Sequence, residues 1–230
     1  MAERPVVLVT GATGGMGRLI VADLARDRDV IAVGRNEAGL AALAEEHGVR
    51  TWQLDLAALA RGQAPGVAGF VEGLDRLDGL VHVAAVGGHW SADEATLERW
   101  HEQFDTNVIA PAELTRLTLP LLRRAQGHVV FIGSGASRVP VPGSVIYAPS
   151  KHALRAYAEA LRDDESPHRV RVTSLEPGPT ATDMGPRRAP AEALIQPASV
   201  AAAVRFALDS PPDVDITVVA VRPRVELNRL

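Results

Sequence analysis

A tyrosine and a lysine four positions apart have the clearest capacity for proton transfer in this sequence. Tyr147 and Lys151 belong to the segment Tyr147-Ala148-Pro149-Ser150-Lys151, and in a helix this spacing places both side chains on one face. Pro149 fits a helix only near its start, so we predict a helix that begins near Tyr147, at the edge of a cleft. A free phenol has a pKa of about 10, and a nearby ammonium lowers it, which would make Tyr147 a usable acid or base.

A serine shortly before this pair adds a second polar group. Ser134 follows the apolar run 129–132, between Gly133 and Gly135. Open parallel sheets bind their ligands at the carboxyl ends of the strands. A serine hydroxyl there can donate a hydrogen bond to a substrate oxygen. Alone, Ser134 is a loop serine and the Tyr/Lys spacing describes an ordinary helix-face pair, so only their combination indicates catalysis.

A glycine-rich turn follows the first apolar run, 6–9. Its residues are Thr10-Gly11-Ala12-Thr13-Gly14-Gly15-Met16-Gly17. Glycines let the backbone turn tightly and approach a pyrophosphate, whose charge is favourable at a helix N-terminus. Such turns also occur for purely structural reasons. Because a strand precedes this one and a helix follows it, we interpret it as a dinucleotide-binding turn.

The end of the second apolar run bears on the choice of cofactor. An acid at this place binds the ribose 2′-hydroxyl of NAD, whereas an arginine accommodates the 2′-phosphate of NADP. The sequence has Gly34 where the acid would stand, followed by Arg35 and Asn36. We therefore predict NADP(H) in preference to NAD(H), the alternative being a solvated arginine at a strand end. Asp55 is either an adenine contact or the cap of the following helix.

Composition excludes several classes of function. The 230 residues contain no cysteine, which rules out disulfides, thiolate metal sites and cysteine nucleophiles. The net charge of −4 gives no basic excess for nucleic acid or an anionic membrane. The histidines are scattered without ligand spacing, so no metal site is expected. No apolar stretch approaches the roughly 20 residues of a membrane span, and a cytoplasmic enzyme is the simplest expectation.

Short apolar runs alternate with longer amphipathic stretches throughout the chain. The predicted strands are 6–9, 30–33, 80–83, 129–132, 170–175 and 216–221, and the predicted helices are 15–28, 37–47, 92–124, 149–163 and 197–208. Near-continuous apolar strands are typical of parallel sheets covered by helices on both faces. The pattern predicts one α/β domain over 1–230, a Rossmann-type doubly wound parallel sheet flanked by helices.

The segment 183–198 is predicted to form a lid over the substrate, since it is rich in loop-forming residues and follows a strand end. Met184, Leu194 and Ile195 make it partly apolar, which hints at a hydrophobic substrate. Arg187 and Arg188 could meet an anionic substrate or the NADP phosphate, but paired loop arginines are usually solvated. Elsewhere, His89 and Trp90 either line the substrate pocket or lie on the surface.

These motifs, in this order, resemble the short-chain dehydrogenase/reductase family over essentially the whole chain. The family's Thr-Gly-x-x-x-Gly-x-Gly turn matches Thr10, Gly11, Gly15 and Gly17. Its serine and its Tyr-x-x-x-Lys pair match Ser134, Tyr147 and Lys151; its helix asparagine matches Asn107; and its Pro-Gly segment matches 177–182. The resemblance implies hydride transfer between NADP(H) and a small carbonyl or secondary alcohol substrate.

The resemblance also implies residue roles. Tyr147 would be the general acid/base, and Lys151 would lower its pKa and hold the nicotinamide ribose. Ser134 would polarise the carbonyl, and Asn107 would support a water chain from Lys151. Cofactor contacts are expected from Gly11, Thr13, Gly15, Met16, Gly17, Arg35, Asn36, Asp55, Leu56, Ala84, Ala85, Tyr147, Lys151, Pro177, Thr180 and Thr182. A homodimer or homotetramer is expected on the same ground.

One departure from the family pattern concerns the fourth strand. Where the family usually has Asn-Asn-Ala-Gly, this chain has His82-Val83-Ala84-Ala85. The first asparagine of that motif mainly braces the central sheet. Either His82 replaces its hydrogen bonds or the sheet is braced in another way.

Two other functions remain open. A non-catalytic dinucleotide-binding regulatory module would have the same fold, although such a protein would be expected to lose Tyr147 or Lys151. A nucleotide-sugar isomerase or lyase could use the same Tyr/Lys pair. Such proteins tend to carry a long C-terminal substrate domain, whereas only residues 200–230 follow the predicted lid here.

Overall fold

Seven parallel strands form one sheet in the computed structural model, which describes residues 3–185 and 189–225. The strands are β1 (Val6–Thr10), β2 (Asp29–Gly34), β3 (Arg50–Gln53), β4 (Gly79–His82), β5 (His128–Ile132), β6 (Arg171–Pro177) and β7 (Val218–Val221). Their order across the sheet is β3-β2-β1-β4-β5-β6-β7. The predicted doubly wound parallel sheet is confirmed.

Helices cover both faces of this sheet. They are α1 (Gly15–Leu24), α2 (Glu37–His47), α3 (Leu56–Ala60), α4 (Val67–Glu72), α5 (Leu97–Phe104), α6 (Ala110–Ala125), α7 (Tyr147–Glu165) and α8 (Pro197–Leu208). Apolar side chains of α1, α2 and α8 pack with one face of the sheet, and those of α3, α4, α6 and α7 pack with the other. Both faces of the central strands are therefore buried, which explains their continuous apolar sequence.

The chain reverses direction across the sheet at β1. From β1 it runs outward through β2 and β3, then returns to place β4 on the other side. Ligands of open α/β sheets bind in the crevice that such a reversal leaves at the carboxyl ends of the strands. There the Thr10 hydroxyl accepts hydrogen bonds from the backbone N–H groups of Val83, at 3.2 Å, and Ala84, at 3.3 Å. These two hydrogen bonds fix the end of β1 relative to the start of the loop after β4.

Three local features differ from the sequence-based prediction. Strand β3 was not predicted because its residues are polar and mostly exposed, as is common at a sheet edge. Helices α3 and α4 are too short to give a helical repeat. The predicted helix 92–124 is in fact α5 and α6 joined by a π-helical turn, Asp105–Ile109, and residues 92–96 precede it as turn and loop.

The helix that carries the Tyr/Lys pair begins at Tyr147, as predicted, with Pro149 in its first turn. Proline is tolerated there because the first N–H groups of a helix have no partner within the helix. None of the described helices has both the length and the apolarity that crossing a membrane would require.

Candidate active site

The glycine-rich turn between β1 and α1 depends on two close backbone approaches. Gly11 has φ +64°, and a Cβ there would lie 2.7 Å from the backbone of Ala84. A Cβ on Gly17 would lie 2.1 Å from the carbonyl oxygen of Gly11. Gly14 precedes α1 without a side-chain cap, so the N-terminal amides of this helix have no side-chain partner there. Such a helix N-terminus favours a bound anion.

A cavity of about 660 Å³ opens beside this turn at the carboxyl edge of the sheet. It is lined by most of the predicted cofactor contacts. These are Gly11, Thr13, Gly15, Met16, Gly17, Arg35, Asn36, Asp55, Leu56, Ala84, Ala85 and Thr182. Four other predicted contacts do not line it, namely Tyr147, Lys151, Pro177 and Thr180. The cavity thus extends from the glycine turn to the ends of β2, β3 and β4.

Arg35 lies on the exposed part of this lining, at the end of β2. Within the described ranges, no carboxylate lies within ion-pair distance of its guanidinium. Its backbone carbonyl accepts a hydrogen bond of 3.3 Å from the Gln53 side chain, which joins β2 to the edge strand. The backbone of Arg35 is therefore anchored to β3, and the residue lines the cavity.

Two of the polar residues that line the cavity also begin helices. The Asn36 side chain accepts a hydrogen bond of 3.0 Å from Gly39 N–H and caps α2. The Asp55 carboxylate accepts one of 2.9 Å from Ala57 N–H and caps α3. The capping role considered for Asp55 is confirmed, and its contact with adenine stays a prediction.

Lys151 is a buried cation beside the tyrosine. Its side chain is 2% exposed, and Nζ donates a hydrogen bond of 2.9 Å to the carbonyl of Ile132, the last residue of β5. The same Nζ lies 5.8 Å from the centroid of the Tyr147 ring. Burial lowers the pKa of Lys151 to about 8, because the charged form loses its hydration. The ammonium is thus poised to titrate in a pH range in which a surface lysine stays charged.

Tyr147 and Ser134 meet at the carboxyl end of β5. Burial raises the pKa of the Tyr147 phenol, and the Ser134 hydroxyl acts in the opposite direction and lowers it. The Ser134 oxygen also accepts a hydrogen bond of 3.1 Å from Ala136 N–H, while Ser134 N–H donates to the Ser137 hydroxyl at 3.1 Å. This small capping box orients the serine, whose hydroxyl lies next to the phenol.

Asn107 is fully buried in the π-helical turn between α5 and α6. Its Oδ1 accepts a hydrogen bond of 2.8 Å from Val86 N–H, and its Nδ2 donates to the Val86 carbonyl, also at 2.8 Å. The same Nδ2 donates to the Ser150 hydroxyl at 3.1 Å. Asn107 therefore links the loop after β4 to α7 next to Lys151. Its predicted part in a water chain stays a prediction.

The lining of the cavity comes close to Tyr147 at Met184. Met184 and Val86 both belong to that lining. A Cβ on Gly87 would lie 3.1 Å from the Met184 sulfur and 3.7 Å from the Tyr147 ring. Gly87 thus lies between the Met184 thioether and the Tyr147 ring.

Sequence reasoning missed several residues that line the cavity, among them Val86, Thr106 and Asp183. Thr106 directly precedes Asn107, and Asp183 directly follows Thr182, so adjacency to predicted residues was the available signal. Val86 carries no signal in its type, because it contributes through its backbone and its place in the loop after β4.

His82 occupies the place of the usual bracing asparagine. It is buried at the end of β4, stacked on Phe131 with ring centroids 4.9 Å apart, and its Nε2 lies 2.9 Å from the Thr115 hydroxyl of α6. Burial lowers its pKa to about 3, so the ring is neutral at physiological pH. His82 therefore braces the sheet against α6 through one polar contact and one aromatic contact.

The remaining predictions concern the substrate side. Trp90 N–H donates a hydrogen bond of 2.8 Å to the Gly143 carbonyl, and Arg99 stacks 5.1 Å over the Trp90 ring. These contacts join the loop after β4 to the segment before α7. In the predicted lid, Met184 lies at the cavity and Ile195 is buried in the core. Arg187 and Arg188 lie outside the described residues.

Comparisons with known proteins agree with this geometry. Residues 5–193 match the family model described as short chain dehydrogenase. The chain is 37% identical over 181 residues to the NADP-dependent 3-hydroxy acid dehydrogenase YdfG of Salmonella typhi, covering 75% of this chain and 71% of that protein. It is 32% identical to glycine betaine reductase ATRR of Emericella nidulans over 96% of this chain, yet spans only 19% of that protein.

A solved structure shows the same architecture. This chain matches the closed form of serine dehydrogenase complexed with NADP+ with a TM-score of 0.85 and 30% identity. The match covers 95% of this chain and 94% of that one. The family model covers well over half of the chain, and the glycine-rich turn and Thr182 line one cavity. The chain belongs to the short-chain dehydrogenase/reductase family of oxidoreductases.

Proposed function

We propose that this protein is an NADPH-dependent reductase, or dehydrogenase in the reverse direction, of a small carbonyl or secondary alcohol. The observation that carries the proposal is the buried Lys151 ammonium beside the Tyr147 ring, which lies close to the lining of the cavity that contains the glycine-rich turn. A helix-face pair on the surface would have neither the burial nor the adjoining cavity.

The cavity fits a dinucleotide. The open backbone at Gly14 and Gly15 and the uncapped start of α1 suit a pyrophosphate, and the Arg35 cation suits a 2′-phosphate. Asn36 and Asp55 would lie at the adenosine end, and Thr182 and Met184 at the nicotinamide end. When bound, the cofactor supplies the hydride, and the protein supplies geometry and charge.

Three side chains would handle the proton and the substrate oxygen. The Ser134 hydroxyl would donate a hydrogen bond to the carbonyl oxygen and hold it next to the Tyr147 phenol. Tyr147 would give its proton to that oxygen during reduction and take it back during oxidation. The Lys151 ammonium would stabilise the phenolate that remains, which offsets the rise in the phenol pKa caused by burial. Asn107 would keep the loop after β4 in place around the reacting groups.

Further proposals rest on the same resemblance. We expect residues 1–230 to act as one domain, with segment 183–198 over the substrate and an apolar group of the substrate near Met184. A homodimer or homotetramer in the cytoplasm is proposed on family resemblance.

The two tyrosines of the chain give a matched test of catalysis. Tyr147→Phe is expected to reduce the rate of NADPH oxidation with an active carbonyl by about a thousandfold or more, because the proton donor is lost. Tyr157→Phe changes the same atom in the same helix α7, where the hydroxyl lies 3.5 Å from the Ala112 carbonyl, and should retain most of the rate. Full turnover by Tyr147→Phe would overturn the proposal.

The cofactor preference has its own test. Titration with NADPH and NADH, followed by nicotinamide fluorescence, should show tighter binding of NADPH. Arg35→Ala should bring NADPH binding close to that of NADH, whereas Arg50→Ala, at an exposed arginine of β3, should not. Equal binding of both cofactors by the unchanged protein would mean that Arg35 is only a solvated strand-end residue. Binding of neither would overturn the proposed oxidoreductase function.

A further inference from the structure

The π-helical turn between α5 and α6 carries two residues of the candidate site. Thr106 lines the cavity, and Asn107 bonds to Val86 and Ser150. Its register is defined by the N–H of Ala110, which donates to the carbonyl of Asp105, five residues earlier. Single π turns inside α-helices are uncommon and are frequently found at functional sites. The α register is the more stable alternative. Tertiary contacts must therefore hold this one.

An ion pair anchors the first residue of this turn. Asp105 is 4% exposed, and its Oδ2 accepts a hydrogen bond of 2.7 Å from Nε of Arg61. A carboxylate at that depth requires a cation or several donors to offset its lost hydration. Arg61, which is half exposed, supplies the cation from outside the core.

Arg61 is also the C-terminal cap of α3, a helix whose first residues line the cavity. Asp55, Leu56 and Ala57 face the cavity at one end of α3, and Arg61 follows its other end. Helix α3 packs against the π-helical turn. One short helix thus spans the distance from the adenosine end of the cavity to the turn that holds Asn107.

We propose that Arg61 is a positioning residue, whose ion pair with Asp105 holds the π-helical turn in register and thereby keeps Asn107 between Val86 and Ser150. If the turn adopted an α register, the residues on its two sides would rotate by about 100° relative to each other. The Asn107 side chain would then move away from both of its partners. The loop containing Val86 and Gly87, next to Tyr147, would then lose its anchor. This inference rests on the proposed function only where turnover is measured.

The first test measures position without requiring activity. Hydrogen exchange of the Val86 amide, which donates to Asn107, is compared in the unchanged protein and in Arg61→Met. We expect exchange to accelerate by about tenfold or more in the variant, since the protecting side chain moves. Arg116→Met, which removes an exposed arginine paired with Glu113 on α6 at 2.6 Å, is the matched control and should leave Val86 unchanged.

The second test measures turnover. In Arg61→Met, kcat should fall by about tenfold while the KM for NADPH changes less than about twofold, because alignment rather than cofactor binding is lost. Arg61→Lys should recover part of both the exchange protection and kcat, since it restores the positive charge. Asp105→Asn keeps the side-chain shape, and the same two changes are expected, which provides a second variant if Arg61→Met does not fold.

The outcomes separate the two proposals. Unchanged Val86 exchange in both Arg61→Met and Asp105→Asn would overturn the positioning role, whatever the activity. Turnover by the unchanged protein together with an unchanged kcat in both variants would overturn it as well. Absence of turnover in the unchanged protein across carbonyl substrates would overturn the proposed function, and the exchange comparison would still decide the role of Arg61.

Discussion

The Nε2 of His82 lies 2.9 Å from the Thr115 hydroxyl, which ties the end of β4 to the middle of α6 inside the protein. The other ring nitrogen, Nδ1, is buried without a hydrogen-bond partner among the described residues. The ring stacks on Phe131 of the neighbouring strand. A protonated imidazolium would have to be accommodated between apolar and neutral groups, which explains why burial lowers its pKa.

Acid should therefore weaken the fold through buried histidines. Burial lowers the pKa values of His82 and His128 from 6.5 to about 3. As the pH falls below 6.5, the unfolded chain binds protons that the folded protein does not bind until about pH 3. Stability is thus lost across this window, by up to about 1.4 kcal/mol per histidine for each pH unit. Denaturant unfolding between pH 7 and 4.5 measures the slope.

Substitution of His82 separates its share from that of His128. His82→Asn should lower stability at pH 7, because packing on Phe131 is lost, and should reduce the acid slope, because asparagine does not titrate. His101→Asn, at an exposed position of α5, should leave the slope as it is. An equal slope in His82→Asn and the unchanged protein would contradict the assignment.

The pH dependence of reduction should report Lys151. Its pKa is lowered to about 8, so the ammonium loses its proton above that pH and no longer stabilises the phenolate. Burial raises the pKa of Tyr147, so the phenol keeps its proton there. We expect kcat/KM for carbonyl reduction to decline above about pH 8, as measured by NADPH consumption. Lys151→Met should be slow at every pH and lack this decline. A value of kcat/KM that stays constant up to about pH 10 would contradict this role of Lys151.

Position Gly17 should not accommodate any side chain. A Cβ at Gly17 would lie 2.1 Å from the Gly11 carbonyl, so Gly17→Ala should distort the turn, cost about 1–3 kcal/mol of stability and abolish NADPH binding. A Cβ at Gly69, inside α4, would meet nothing within 4 Å. Gly69→Ala should therefore raise stability by up to about 1 kcal/mol and leave binding unchanged. Thermal unfolding and cofactor titration distinguish the two, and tight NADPH binding by Gly17→Ala would contradict the geometry.

The two roles of Asp55 can be separated by substitution. Asp55→Ala should lose about 1 kcal/mol of stability because the cap of α3 is removed, whereas Asp55→Ser keeps a capping oxygen and should lose little. Both should bind NADPH about fivefold more weakly if the carboxylate contacts adenosine. Calorimetric titration measures this, and unchanged binding in both variants would leave Asp55 with the cap alone.

The sequence predicts those parts of the fold that burial dictates. Six strands and the helices 37–47 and 197–208 were predicted because their apolar residues recur with the period of a buried element. The edge strand β3 gave no such pattern, since its side chains are mostly exposed. The start of α7 at Tyr147 was predictable because a proline such as Pro149 is tolerated in the first turn of a helix but not in its interior.

The site was predictable where residue type is chemically specific. Ser134, Tyr147, Lys151 and the glycine turn could be identified, and the structure places the first three next to one another. The π-helical turn could not be predicted, because its contacts join residues far apart in sequence, such as Asp105 with Arg61 and Asn107 with Ser150. Val86 contributes through backbone groups, which no side-chain pattern reveals.

Sulfur chemistry at the cavity is restricted to the thioethers of Met16 and Met184. The chain contains no cysteine, and Met184, which is 49% exposed, lies at the end of the cavity beside Gly87. Thiol-directed reagents therefore have no target anywhere in the protein. A cysteine introduced at position 184 would be a unique attachment point for a fluorophore that reports directly on occupancy of the cavity.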